Sequence, residues 1–302
     1  HASNVQGCAN AIEKCFEDAG FPEDIFKNLQ ITSDMVSRVI ENNKVSGVAL
    51  TGSTLAGKAV AKKAGEFLKK IILELGGNDP YIILDDANID KAVKASIESR
   101  LINTGQSCIS AKRLIVTNKN ILLFTNKLIA TLKSKVIGDP YDDVDIGPLV
   151  SQNAREEVHG LVSESINLGA KAILGGKIPK TKGAYYPITV LTNVKPGMPA
   201  FDEEIFGPVF SIIQSENDEN AIHLANNSKY GLGAAVFTEN VKKGEMIANE
   251  KFEAGLCFVN DYVKSDPRLP FGGVKMSGHG RELSSYGLKE FVNIKTVVVK
   301  SK

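Results

Sequence analysis

Apolar residues recur along this chain at two spacings, one helical and one strand-like, and the two take turns. Val5, Cys8, Ile12 and Cys15 fall at helical spacing and predict an amphipathic helix from Ser3 to Gly20. Ser3 with Gln6 supplies a capping-box pattern at its start, and Gly20 with Pro22 ends it. Cys8 and Cys15 then read as small hydrophobes of a packed core. Val45 to Leu50 predicts a strand, Thr54 to Lys69 a helix, and Ile71 to Leu75 a second strand. The alternation continues with a strand at Tyr81 to Leu84, a helix at Asn88 to Leu101, a strand at Leu114 to Thr117 and a helix at Leu122 to Val136. Further on, Ala154 to Leu168 and Ala221 to Asn227 are helical, and Tyr230 to Leu232 reads as a turn. Ala170 to Gly176, Tyr185 to Val194, Ala234 to Thr238 and Gly255 to Asn260 are strand-like. Strand and helix in alternation imply an α/β fold on a parallel, doubly wound sheet. Phe291 to Lys300 alternates as a last strand, rich in Val and Ile, which would be an aggregation-prone edge if left uncovered.

Composition narrows the class without choosing a function. The 302 residues hold 43% hydrophobic and 24% charged side chains, enough for a packed core of one to three domains. A net charge of +1 gives no electrostatic reason to expect nucleic acid or a membrane surface as partner, and no apolar run approaches membrane-span length. The four cysteines form no C-x-x-C pair and the four histidines are scattered, so a metal site is not expected. Free thiols fit a reducing, cytoplasmic setting.

Two short stretches carry candidate chemistry. Cys108 follows a small, polar, glycine-containing loop, Asn103-Thr-Gly-Gln-Ser-Cys108, where a thiol is reachable and its thiolate is a strong nucleophile. Glu74 closes the apolar run Ile71-Ile-Leu73 and is followed by two glycines, placing a carboxylate beside a turn where it can take a proton from water. Together they describe a thioester that is formed and then hydrolysed. The turn Gly52-Ser-Thr-Leu-Ala-Gly57 opens a helix whose free N–H groups suit a phosphate, but it lacks G-x-G-x-x-G and on its own reads more readily as a plain strand-to-helix turn. Glu203-Glu-Ile-Phe-Gly-Pro208 on its own is a helix end followed by a turn.

With these motifs in view, the chain resembles the NAD(P)-dependent aldehyde dehydrogenase superfamily, closest to its short bacterial succinate-semialdehyde dehydrogenases. The resemblance covers essentially the whole chain and corresponds to the C-terminal two-thirds of such an enzyme. It includes the signature Pro270-Phe-Gly-Gly273, Lys275, Ser277-Gly278 and Gly280-Arg-Glu282. It implies that Cys108 is the catalytic nucleophile and Glu74 the base that activates water. Gly52 and Ser53 would lie against the cofactor pyrophosphate, with Leu75 nearby, while Glu204 would hold the nicotinamide-side ribose and Phe206 would pack beside the ring. Ser3 stands where many members carry an acidic residue near the adenosine ribose, so NADP as well as NAD is permitted; it reads also as a helix cap. Ile102, Ser265 and Phe271 would line the substrate side. Ile102 occupies a position where succinate-semialdehyde enzymes often carry an arginine, and Arg268 offers an alternative cation.

The organisation implied is the C-terminal part of a Rossmann-type dinucleotide-binding domain over 1–76, an α/β catalytic domain over 77–275, and a return segment with a C-terminal oligomerisation strand over 276–302. The expected activity is oxidation of succinate semialdehyde to succinate by a homodimer or homotetramer. The alternatives are another small aldehyde (lactaldehyde, glyceraldehyde, aliphatic) or a chain that is catalytically silent without the family's N-terminal portion.

Overall fold

A computed structural model describes residues 1–301. The first part runs α1 (Gln6–Asp18), α2 (Val36–Glu41), β1 (Gly47–Thr51), α3 (Thr54–Glu66) and β2 (Lys70–Glu74). The second part begins with β3 (Pro80–Ile83), α4 (Ile89–Leu101), β4 (Arg113–Thr117), α5 (Ile121–Leu132) and α6 (Gln152–Asn167). It continues through β5 (Lys171–Leu174), β6 (Thr189–Thr192), α7 (Pro199–Asp202), β7 (Val209–Ser215) and α8 (Asp218–Asn226). The remainder comprises β8 (Tyr230–Gly231), β9 (Gly233–Phe237), α9 (Val241–Met246), β10 (Leu256–Val259), β11 (Val274–Lys275), β12 (Gly278–His279) and α10 (Ser284–Glu290).

These strands build two principal sheets. The smaller has the order β1-β2-β12, with β1 parallel to β2 and β12 returning antiparallel, Gly278 opposite Glu74. The larger has seven strands in the order β10-β9-β3-β4-β7-β6-β5, all parallel except for β5 against β6. A parallel sheet is covered on both faces, so its strands are apolar at successive positions and each residue's parity decides which core it joins. Tyr81 and Ile83 of β3 join Leu114, Val116, Phe124 and Leu128 on one face. Ile82 and Leu84 join Ile115, Val158, Val162 and Phe201 on the other. Full burial of each such side chain stabilises the fold by roughly 1.5–3 kcal/mol.

Helix starts are set by side chains. Ser53 Oγ accepts from Ala56 N–H at 3.2 Å, Asn88 Oδ1 from Lys91 N–H at 3.1 Å, and Ser151 Oγ from Ala154 N–H at 3.1 Å. Each satisfies an N–H that the first helical turn leaves without a partner.

Several expectations need correction. The first helix starts at Gln6, its cap is Val5, and no side chain caps it, so the Ser3–Gln6 capping box does not form. Cys8 and Cys15 are exposed, as is Ile12 at 49%, because α1 turns its apolar stripe outward and buries only Ala9. The strand expected over Tyr185–Val194 is cut to Thr189–Thr192, since Pro187 has no N–H for a ladder. Tyr230-Gly231 is a short strand paired with β11 rather than only a turn. Within the single chain residues 291–300 form no strand, because a strand needs a ladder partner and this segment meets none among the described residues. Val297, Val298 and Val299 are consequently 72%, 85% and 85% exposed. Finally, β7, a buried strand beside β4, stands where the sequence reading placed no element.

Candidate active site

The five residues Leu75 to Asp79 cross from the C-terminal end of β2 to the start of β3, and so join the two sheets. Glu74 is the last residue of β2. The Cys108 loop lies at the other side of this crossing, just before β4. Its direction is set by three consecutive left-handed residues, Asn103 (φ 49°), Thr104 (φ 58°) and Gly105 (φ 78°). Gly105 is needed twice over, for that backbone and because a Cβ there would strike the Gly207 carbonyl. The loop then fastens onto the crossing. Lys112 and Arg113 N–H groups donate to Asp79 O at 3.2 and 3.1 Å, and a Cβ added at Gly77 would stand 2.5 Å from Cys108 O. Sequence-distant Glu74 and Cys108 thereby become neighbours across one glycine turn.

Cys108 is half-buried. Burial pushes its thiol up to about 11, Lys112 pulls the other way, and the carboxylates of Asp79, Glu204 and Glu74 raise it further. Lys112 is 3% exposed and holds the loop from beneath, donating to Ser107 O at 2.9 Å and Cys108 O at 2.7 Å. Its ammonium also pairs with Glu204 Oε1 at 3.2 Å, the same oxygen that accepts from Gly77 N–H at 3.2 Å.

Glu74 is buried, and neither carboxyl oxygen has a hydrogen-bond partner. It faces the signature loop: a Cβ at Gly272 would lie 2.9 Å from Glu74 Oε1 and 2.9 Å from Arg281 Cδ. Burial is the main cause that raises its carboxyl to about 8; Glu282 adds to the shift and Arg281 opposes it. A carboxyl in this state is a proton acceptor matched to mildly alkaline pH and able to act through one water without touching the thiol.

The same burial sets a stability prediction. The unfolded carboxyl ionises near its ordinary value of 4.5, whereas the folded one keeps its proton to about 8. Between these values the folded chain binds more protons, so its stability falls as pH rises through that window. Glu74→Gln removes the ionisation at nearly constant shape. The variant is expected to melt a few degrees above the parent at pH 8.5 and level with it at pH 4; thermal denaturation at the two pH values checks this.

The cofactor-side candidates converge from several elements. Gly52 and Ser53 are exposed at the start of the 13-residue α3, at the C-terminal end of a parallel strand, where helix N–H groups favour an anion. Leu75 is buried and packs on Gly57, whose added Cβ would lie 2.5 Å from Leu75 Cδ1. Glu204 lies over the glycine turn, and a Cβ at Gly76 would meet its Oε2. Phe206 is 43% exposed, with its ring available to a flat ligand. A helix terminus, a carboxylate and an exposed aromatic ring fit the phosphate, ribose and ring of a dinucleotide. Ser3 is exposed ahead of α1 and caps nothing.

The substrate-side candidates are less closely gathered. Ile102 is 47% exposed at the end of α4. Phe271 is half-buried and bridges to Glu282 through N–H···O bonds of 2.8 and 2.7 Å. Ser265 is exposed. Arg268 is turned to Asp266, donating Nε to Oδ1 at 2.9 Å and Nη2 to Oδ2 at 2.6 Å, so its guanidinium fork is already occupied.

The sequence reading missed the buried cations that hold this site. Arg100 is fully buried and donates to Val209 O, Ser110 Oγ and Ile205 O, each at 2.6 Å. It thus ties the Cys108 loop to the Glu204-Ile205-Phe206 stretch. Arg113 donates to Asn78 O at 2.9 Å, Leu224 O at 2.8 Å and Ala225 O at 2.7 Å. Ser277 Oγ donates to Gly76 O at 2.6 Å and accepts from Gly231 N–H at 3.0 Å. The available signal was Lys112-Arg113, two cations directly ahead of an apolar strand. Among the described residues no cluster of His, Cys, Asp and Glu could hold a metal ion, and no helix is long and apolar enough to cross a membrane.

Comparison with known proteins shows the family. The profile of the Aldehyde dehydrogenase family matches residues 1–297. Over 298 residues the chain is 45% identical to succinate semialdehyde dehydrogenase (NAD(P)+) Sad of Escherichia coli strain K12, with 98% of this chain and 64% of that protein covered. It is 44% identical to succinate-semialdehyde dehydrogenase (NADP(+)) of Deinococcus radiodurans, covering 98% and 62%. Succinic semialdehyde dehydrogenase from Streptococcus pyogenes, solved in complex with NADP+, superposes with a TM-score of 0.97 at 39% identity, covering 100% of this chain and 66% of that one. Lactaldehyde dehydrogenase from Escherichia coli superposes at 0.93 with 33% identity, covering 96% and 61%. The chain thus spans somewhat less than two thirds of the length of these relatives. From the profile match and these identities, the chain belongs to the aldehyde dehydrogenase family.

Proposed function

We propose that this chain carries the nucleophile, the hydrolytic base and the ribose-binding carboxylate of an NAD(P)-dependent aldehyde oxidation, with succinate semialdehyde as substrate and succinate as product. The carrying observation is the Cys108 loop pinned against the glycine turn that follows Glu74, whose buried carboxyl oxygens have no partner. Cys108 Sγ, on losing its proton, bonds to the aldehyde carbon and forms a thiohemiacetal. Its oxyanion is met by the Cys108 backbone N–H. When bound, a nicotinamide dinucleotide accepts the hydride that leaves this carbon, and a thioester remains on Cys108. Glu74 takes a proton from water, the hydroxyl adds to the thioester carbon, and the acid departs as the thiolate is restored. Ser53 at the start of α3, Glu204 and Phe206 orient the cofactor. Ser3, lacking a carboxylate, leaves room for a 2′-phosphate. The exposed valines of 291–301 pair with a second copy in a homodimer or homotetramer.

One observation favours a second reading. Ile102 is apolar and Arg268 is engaged by Asp266, so these residues suit an uncharged aldehyde such as lactaldehyde. A carboxylate tail without a donor binds poorly. On the succinate-semialdehyde reading a residue other than Ile102 and Arg268 donates to the tail, and the expected result is a kcat/KM at least about tenfold above that for an uncharged aldehyde of equal length, as one charge-assisted contact is worth about 1.5–3 kcal/mol. The reverse preference assigns the chain to the uncharged substrate.

A further inference from the structure

The ammonium of Lys112 stands among three oxygens, two carbonyls and one carboxylate. It donates to the carbonyls of Ser107 and Cys108, at 2.9 and 2.7 Å, and forms an ion pair with Glu204 Oε1 at 3.2 Å. The side chain is 3% exposed, so solvent screens these interactions little. A charged lysine is costly to bury unless its charge and donors are met by nearby oxygens. Packing alone would be served as well by methionine. The two carbonyls belong to the nucleophile's own loop, and the carboxylate belongs to the stretch that faces the cofactor side.

We propose that Lys112 is a positioning residue that fixes the backbone beneath the Cys108 thiol and ties it to the Glu204 carboxylate, so that a ligand engaging Glu204 is felt at the nucleophile. This rests on the roles given above to Cys108 and Glu204. With Glu204 paired to it, part of the lysine's positive charge is spent away from the sulfur. A ribose hydroxyl that hydrogen-bonds to Glu204 draws the carboxylate toward itself and leaves more of that charge facing the loop. Cofactor binding and thiolate formation are thereby coupled through one side chain. Asp79, raised by burial to about 6, and Glu74, raised to about 8, are nearby groups that change charge with pH, and the rate comparison is therefore made at a single pH above both.

The test is the rate of Cys108 alkylation by iodoacetamide at pH 9, resolved by peptide mass spectrometry, without cofactor or aldehyde. Exposed Cys8 and Cys15 serve as internal references. Lys112→Met is expected to slow alkylation of Cys108 about tenfold, Lys112→Arg to stay within about threefold of the parent, and Glu204→Gln to speed it about tenfold, as for a nearby charge worth about one pH unit. A purely structural lysine predicts the opposite for Lys112→Met, because a loosened loop exposes the thiol and speeds its reaction. An unchanged or faster rate in Lys112→Met overturns the proposal. If that variant does not fold, Glu204→Gln decides alone, and an unchanged or slower rate there overturns it. These rates need no turnover, so absence of aldehyde oxidation in the unaltered chain counts against the proposed function and leaves the coupling to be judged by alkylation.

Discussion

Cys108→Ala is expected to abolish aldehyde-dependent reduction of the nicotinamide cofactor, a loss of at least about 10⁴-fold in kcat, the scale seen when a covalent nucleophile is removed. No other side chain here replaces it. Cys257 is half-buried in β10, burial pushes its thiol up to about 11, and its sulfur is directed to Ala254 O. Cys8 and Cys15 are on the surface of α1. The substitution removes one sulfur from a loop held by other groups, its carbonyls by Lys112, the Ser110 hydroxyl by Arg100 and the Lys112 and Arg113 N–H groups by Asp79 O, so the fold is kept. Absorbance of the reduced cofactor reads activity, and an unchanged melting temperature shows that chemistry alone was lost. Residual oxidation above about one per cent would require another nucleophile.

Glu74→Gln is expected to separate the two half-reactions. Formation of the thioester consumes no water and survives, whereas its hydrolysis loses the base. General-base removal costs about 10²–10⁴-fold. The progress curve should show one equivalent of reduced cofactor per site, followed by a slow steady state. The pH dependence should change in step. The parent's hydrolytic rate rises through about pH 8 as the Glu74 carboxyl loses its proton, and the variant's does not. A parallel fall in burst and steady state would move Glu74 to the first half-reaction.

The elements most legible in the sequence were those bounded by their own punctuation. β1, α3, β2, β3 and α4 fall close to the expected spans because Gly52, Ser53, Gly76 and Asn88 mark their ends. β7 was not legible: Val209-Phe-Ser-Ile-Ile-Gln-Ser215 carries polar residues that the sheet centre buries, so its pattern matches neither an alternating strand nor a plain apolar run. The stripe of α1 was visible but its burial was not, since periodicity shows which residues share a face and not what covers it. At the site, Glu74, Cys108 and Glu204 stood out as motif residues, and the structure joins them through the 75–79 crossing. Arg100, Lys112 and Arg113 escaped notice because charged residues are exposed by default. Only tertiary structure supplies the carbonyls that let them be buried.

The central claim is a covalent acyl intermediate on Cys108 that Glu74 resolves with water. The most direct measurement is the mass of Glu74→Gln after mixing with oxidised cofactor and succinate semialdehyde, followed by peptide mapping. The predicted result is one succinyl group per chain, on the Cys108 peptide, removed by hydroxylamine and absent when cofactor is omitted. An unmodified Cys108 in a folded variant that still turns over, or an acyl group on another residue, would contradict it.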